Sequence, residues 1–221
     1  MNVTTFAVAE LLRIVELARE AGEASPNGPA GWSKSEVDPA ALLAAFPALR
    51  LREGFALRAY RFRKGEHGNG VVWALPSDLP FPEPADCPKV EDLPLRPPRP
   101  AGALHPMAAV AGDGSALAYL SASLLARELA EWGALGRGRQ WRTHALIGAE
   151  PAGTWQWLKA KPADWRPQVR GAEGLVTVTF YTRSDLGREA IHRHLDTYAP
   201  GSYVPSAREQ RIAQGGAGYL A

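Results

Sequence analysis

The sequence predicts an α+β fold: a mixed, mainly antiparallel sheet of about five strands, packed by two or three helices. Two patterns carry this prediction, because apolar residues recur every three or four positions in some segments and alternate with polar residues in others. The length of 221 residues suits one domain with long loops better than two comfortable domains. We therefore expect a single α+β domain over residues 1–221.

The N-terminal third is predicted to hold two helices and a hairpin. The predicted elements are helices over 5–21 and from Asp38, and strands over 54–63 and 71–75. Gly22 ends the first helix, while Asp38 and Pro39 form a favourable start for the second. The two strands are expected to form a hairpin with Asn69-Gly70 near its tip or exit.

The C-terminal half is predicted to alternate helices with a group of strands in one sheet. The predicted elements are a helix over 113–132, strands over 141–147, 154–159 and 175–182, a helix over 184–198 and a short helix over 206–213. Leucines at helical spacing support the first helix, and Ser184 and Asp185 are read as caps of the second. The glycines after Ala213 predict a loose tail from about residue 214.

A long proline-rich crossing joins the two halves. Residues 76–106 contain ten prolines, which exclude an ordinary helix or central strand because each proline lacks an N–H donor. The segment also carries scattered apolar residues, so we expect an ordered surface wrap in preference to a flexible linker. Long loops of this kind are often functional, which makes the segment a candidate partner-binding arm or lid.

Composition indicates a cytoplasmic protein without a membrane span. Cys87 is the only cysteine, so no internal disulfide and no paired-cysteine zinc site can form. The first residues lack the features of a signal peptide, and no run approaches the length of about 18 apolar residues expected of a span. A net charge of +2 predicts no polyanionic partner by itself.

The sharpest local motif is the string His192-Arg193-His194-Leu195-Asp196. It resembles, over five residues, the first metal-binding motif of metallo-β-lactamase-like hydrolases, although Thr197 stands where that family has a further histidine. In the predicted helix, residues two apart point about 200° away from each other. The expectation is therefore that His192 and Asp196, at i and i+4, are the pair that could share a metal.

An enzymatic alternative rests on residues far apart in the sequence. Phosphate-binding and serine-nucleophile motifs such as GxxxxGK[ST] and GxSxG do not occur. A small hydrolase or transferase could still combine His144, His192 and Asp196 in three dimensions. Spatial proximity of these side chains is the deciding observation.

A second alternative is binding of single-stranded nucleic acid. Residues 137–170 carry seven Lys/Arg against two Asp/Glu and four tryptophans. The candidate residues are Arg137, Arg139, Trp141, Arg142, Trp155, Trp157, Lys159, Lys161, Trp165 and Arg166. Indoles can stack on bases while cations follow the phosphates, whereas the simpler interpretation is that the tryptophans fill the core.

The preferred sequence-based hypothesis is a non-catalytic binding protein that engages another macromolecule. A protein partner is favoured over single-stranded nucleic acid, and no cofactor and no membrane association are expected. The sequence makes no prediction about the oligomeric state.

Overall fold

The computed structural model describes residues 2–22, 29–88, 96–136, 140–172 and 174–216. Its helices are α1 (Val8–Gly22) and α2 (Ala116–Ala130). Its strands are β1 (Asn2–Thr5), β2 (Gly31–Lys34), β3 (Leu49–Leu51), β4 (Phe55–Lys64), β5 (His67–Pro76), β6 (Val110–Gly112), β7 (His144–Ile147), β8 (Gln156–Trp157), β9 (Gln168–Ala172), β10 (Leu175–Ser184), β11 (Ala190–Tyr198) and β12 (Ser206–Gln214). Short 3-10 helices span Pro39–Ala45, Pro84–Asp86, Pro106–Ala109 and Trp141–Thr143.

The largest sheet contains seven of these strands, more than the five expected. Its order is β1-β9-β10-β11-β12-β8, and β7 pairs with the end of β10 beyond β9. The pairings within this sheet are antiparallel. Strands β2, β4 and β5 form a second sheet, and β3 pairs with β6. The α+β class is therefore confirmed, with a larger sheet than predicted.

Periodicity identified both long helices and the N-terminal hairpin. Ser115 caps α2 by accepting a hydrogen bond from the Ala118 N–H, and Asp38 caps the 3-10 helix that replaces the predicted second α-helix. The hairpin of β4 and β5 turns at Gly65-Glu66, where Gly65 has a φ of 58°. Asn69-Gly70, expected near the tip or exit of this hairpin, lies inside β5, opposite Phe62 and Arg61.

The two C-terminal helices predicted over 184–198 and 206–213 are wrong, because both segments are strands. β11 pairs with β10 along its whole length, from Ser184↔Ala190 to Val176↔Tyr198. Ser184 ends β10 and Asp185 begins the hairpin loop, so neither residue caps a helix. The inward face of β11 carries polar residues that are buried, so its two-residue alternation does not appear as alternating hydrophobicity.

Several described parts of the proline-rich crossing contact the folded sheets. Tyr60 donates a hydrogen bond to the carbonyl of Pro82, and the Trp73 indole donates one to Pro98. Leu104 bridges to Ala74 of β5 through both backbone groups. Residues 89–95 lie outside the described residues, as do residues 217–221 of the predicted tail. The surface-wrap and one-domain expectations remain predictions.

The core lies on the two faces of the large sheet. One face packs against α2 and joins residues from Leu11 of α1 to Tyr203 in a continuous apolar cluster. The opposite face carries a smaller cluster centred on Trp165, Tyr181 and Ile191. Within the described residues, no helix has the length and apolar character needed to cross a membrane.

Candidate metal centre

Strand β11 places His192, His194 and Asp196 on one face of the sheet. Successive side chains of a strand point to opposite faces, so residues two apart share a face. This face looks toward α2, where His194 and Asp196 are completely buried and His192 is half-buried. The three side chains of the motif therefore form a row along β11, in contrast to the diverging directions that a helix would give.

Glu209 approaches His192 from the neighbouring strand β12, and His144 approaches it from β7, on the far side of β10. The ligand atoms that His144, His192 and Glu209 offer all lie within 4.8 Å of one another. Glu209 lies in β12 opposite His194, and His144 begins β7, which pairs with β10. Three strands thus bring two imidazoles and a carboxylate to one point, although they are distant in the sequence.

The contact between His192 and Glu209 is short but poorly directed for a hydrogen bond. His192 Nδ1 lies 2.7 Å from Glu209 Oε1, yet this buried nitrogen has no hydrogen-bond partner of suitable geometry in the described structure. The carboxylate oxygen therefore lies off the N–H direction of the ring. The short distance brings together one imidazole nitrogen and one carboxylate oxygen, which are two of the atom types that bind zinc.

The Thr182 hydroxyl contacts one of the two ring nitrogens of His144. The His144 Nδ1 atom lies 2.8 Å from the Thr182 hydroxyl, which also lies 2.8 Å from His194 Nε2. Nε2 is consequently the His144 atom that remains for a ligand. A metal-bound histidine commonly uses its second ring nitrogen in this way, on a neighbouring acceptor.

Burial and neighbouring charges control the protonation of the cluster. Burial lowers the pKa of His144 to about 4 and that of His194 to about 2, and positive neighbours add to both shifts. Contact with His192 lowers the pKa of Glu209 to about 2 against the opposing effect of burial. At neutral pH the group therefore combines neutral imidazoles at His144 and His194 with an ionised carboxylate.

An open cleft of about 340 Å³ adjoins the cluster. Its lining residues are Arg127, Ala130, Glu131, Gln140, Trp141, His144 and Glu209. Glu131 is held in place because its carboxylate accepts hydrogen bonds from the Trp141 and Arg142 backbone N–H groups. Two of the three clustered side chains, His144 and Glu209, thus reach a space that can hold a small molecule.

Asp196 is held away from the cluster by Arg127. The Arg127 guanidinium donates to both carboxylate oxygens of Asp196, at 2.6 and 2.9 Å. Four residues along a strand span about 13 Å, so His192 and Asp196 are not neighbours at one ion. Of the three residues in the enzymatic hypothesis, His144 and His192 come together, with ring centroids 4.8 Å apart, and Asp196 does not join them.

The basic and aromatic residues proposed for nucleic-acid binding are divided between two faces. Trp141 is buried on the α2 side, where its indole donates to Glu128. Trp155, Trp157 and Trp165 belong to the cluster on the opposite face. On that side Lys161 pairs with Glu150, while Arg166 pairs with Asp164. Lys159 is exposed and Arg142 is half-buried, whereas Arg137 and Arg139 lie outside the described residues.

Glu209, Thr182 and Arg127 were missed in the sequence. Reading His192, His194 and Asp196 as alternate residues of a strand would have placed them on one buried face and called for polar partners. Glu209 could be found in the same way only if its segment were read as a strand. That segment is the nine-residue strand Ser206–Gln214, which the sequence pattern predicts as a short helix. Arg127 carries none, because a charged residue on a long amphipathic helix ordinarily faces solvent.

Comparisons with protein-family models, with curated proteins and with solved structures give no match for this chain. The description of the protein therefore rests on its fold and its cluster alone. It is an α+β protein with a large antiparallel sheet and a His–His–carboxylate group beside an open cleft.

Proposed function

We propose that the protein is a metal-dependent enzyme whose divalent transition-metal ion is held by His144, His192 and Glu209. The observation that carries the proposal is the convergence of these three ligand atoms within 4.8 Å beside a cleft. Two imidazoles and one carboxylate suit Zn²⁺ and Fe²⁺. Three protein ligands leave coordination positions free, which distinguishes catalytic from structural zinc sites.

The cleft supports a catalytic use of such an ion. A metal ion with an open position can polarise a substrate oxygen or lower the pKa of a bound water. The flat indole of Trp141 and the exposed Gln140 line the space that a substrate would enter. Its volume of about 340 Å³ matches a small-molecule ligand. We therefore infer a small substrate bound between the cluster and the C-terminal end of α2.

A metal titration tests the ligand assignment. We expect one Zn²⁺ or Fe²⁺ ion to bind per chain, with iron measured anaerobically, and His144→Ala, His192→Ala and Glu209→Gln each to weaken binding at least about tenfold. His67→Ala and Glu66→Gln are matched controls, because both residues are exposed on the β4–β5 hairpin. The ligand assignment is wrong if the controls and the cluster variants bind equally well.

Binding of azide to the Co²⁺-substituted protein tests whether the ion is accessible from the cleft. An open site exchanges a solvent ligand for azide and changes its visible absorption spectrum, whereas a site closed by four protein ligands does not. We expect a saturable spectral change. A spectrum unaffected by azide would assign the ion a structural role and contradict the enzymatic proposal.

The macromolecular binding proposed from the sequence stays a prediction. Fluorescence anisotropy with labelled single-stranded DNA and RNA at low and moderate salt tests its nucleic-acid form, since contacts to phosphates make affinity fall as salt rises. Affinity purification followed by identification of the captured chain tests the form with a protein partner.

A further inference from the structure

A row of four polar side chains, three of them completely buried, connects α2 with the candidate metal centre. Asp196 holds the Arg127 guanidinium, whose Nη2 atom lies 3.4 Å from His194 Nδ1. His194 Nε2 meets the Thr182 hydroxyl, and Thr182 meets His144 Nδ1. Asp196, His194 and Thr182 are completely buried. We call Asp196, Arg127, His194 and Thr182 the buried row.

The hydrogen bonds of the buried row have a fixed direction at its α2 end. A guanidinium can only donate, so His194 Nδ1 accepts from Arg127. The neutral His194 ring then carries its proton on Nε2 and donates to the Thr182 oxygen. Phe180 stacks on the His194 ring at 4.6 Å and holds its plane. The geometry therefore selects one tautomer of His194.

The Thr182 hydroxyl also contacts His144, whose Nδ1 atom lies 2.8 Å from the Thr182 oxygen. A hydroxyl oxygen can accept two hydrogen bonds, one from each imidazole. When His144 Nδ1–H donates to Thr182, the lone pair of this neutral ring lies on Nε2, which is the atom left for a ligand. With an ion on Nε2, the ring proton of His144 is on Nδ1, and the Thr182 oxygen at 2.8 Å is then the acceptor that holds the ring orientation.

We propose that Thr182, supported by the other members of the buried row, is a positioning residue that presents Nε2 of His144 to the metal ion. This inference rests on the proposed metal function. Partners of this kind orient the ligand ring and increase its basicity, and their removal typically weakens metal binding about 10–100-fold. Thr182 itself does not contact the ion.

Substitutions at Thr182 test the inference. Thr182→Val keeps the shape of the side chain but removes its hydrogen-bonding oxygen, and Thr182→Ser keeps the oxygen. We expect Thr182→Val to raise the Kd for Zn²⁺ about 10–100-fold and Thr182→Ser to restore it to within a few-fold of the unsubstituted protein. Thr179→Val is the matched control, because it makes the same change on β10 at a position whose side chain points to the opposite face.

The outcomes separate the inference from the proposed function. If the unsubstituted protein binds no Zn²⁺, the metal function fails. If it binds Zn²⁺ and Thr182→Val has an unchanged Kd, the metal site stands and the role of Thr182 is refuted.

A second measurement keeps the test decisive if Thr182→Val does not fold. Nitrogen-15 NMR of the unsubstituted Zn²⁺-bound protein reports which ring nitrogen of each histidine carries a proton. We expect protonated Nε2 in His194 and protonated Nδ1 in His144. The opposite tautomer in either ring would overturn the inference.

Discussion

The two faces of the large sheet differ in what they bury, although the same strands build both. On one face the small cluster around Trp165, Tyr181 and Ile191 is almost entirely apolar. On the other, the apolar core around α2 encloses His194 and Asp196, and Asp196 pairs with the half-buried Arg127. A buried charge is costly unless it is paired and hydrogen-bonded. Here the Asp196 carboxylate is paired with the Arg127 guanidinium through two hydrogen bonds. The contrast indicates that the α2-facing side is specialised for more than packing.

The largest expected effect on stability comes from breaking the ion pair between Arg127 and Asp196. Asp196→Ala leaves the Arg127 guanidinium without its carboxylate, and we expect the free energy of unfolding to fall by about 3–5 kcal/mol. Chemical denaturation measures this change. Asp185→Ala is the control, because Asp185 is exposed in the β10–β11 loop, and a similar loss in both variants would contradict the assigned role.

A paired substitution sharpens the same test. Replacing Arg127 by Met and Asp196 by Leu together removes both charges and fills the space with apolar atoms. Such exchanges are often neutral or stabilising, so we expect the double variant to be more stable than Asp196→Ala. A double variant as unstable as the single one would mean that shape, and not charge, dominates at this position.

The apolar face should respond in stability but not in metal binding. Trp165→Ala removes a nearly buried indole that contacts Tyr181 with ring centroids 5.2 Å apart. We expect a loss of about 3 kcal/mol in the free energy of unfolding and an unchanged Kd for Zn²⁺. A large change in metal affinity would show that the two faces are coupled, in disagreement with the division drawn here.

The smallest expected effect concerns the exposed lysines beside the apolar face. Lys159→Ala combined with Lys161→Ala removes two exposed charges, one of them paired at the surface with Glu150. Substitutions of this kind change stability by about 0.5 kcal/mol or less. If this face binds nucleic acid, the double variant weakens binding and reduces its salt dependence, and anisotropy measures both.

The sequence predicted those elements whose burial follows hydrophobicity. Helix α2 and the β4–β5 hairpin have apolar residues at the spacing that their geometry requires. β11 was interpreted as a helix because its inward residues are polar and Leu186, Ala190 and Ile191 happen to recur at helical spacing. Tertiary partners, which local periodicity does not reveal, decided its conformation.

The candidate centre was predictable only in part for the same reason. His144 and His192 stood out as titratable residues, but their meeting depends on the pairing of β10 with both β7 and β11. Glu209 enters because β12 pairs with β11 in a register that sets it opposite His194. A one-residue change of register would move these side chains to the other face, so the centre is a property of the assembled sheet.

The most direct test of the central claim is anomalous diffraction at the zinc edge from crystals grown with Zn²⁺. We predict one strong peak at about 2.0–2.2 Å from His144 Nε2, His192 Nδ1 and a carboxylate oxygen of Glu209. Zinc bound elsewhere on the chain, with these three side chains in their present positions and no peak between them, would contradict the account.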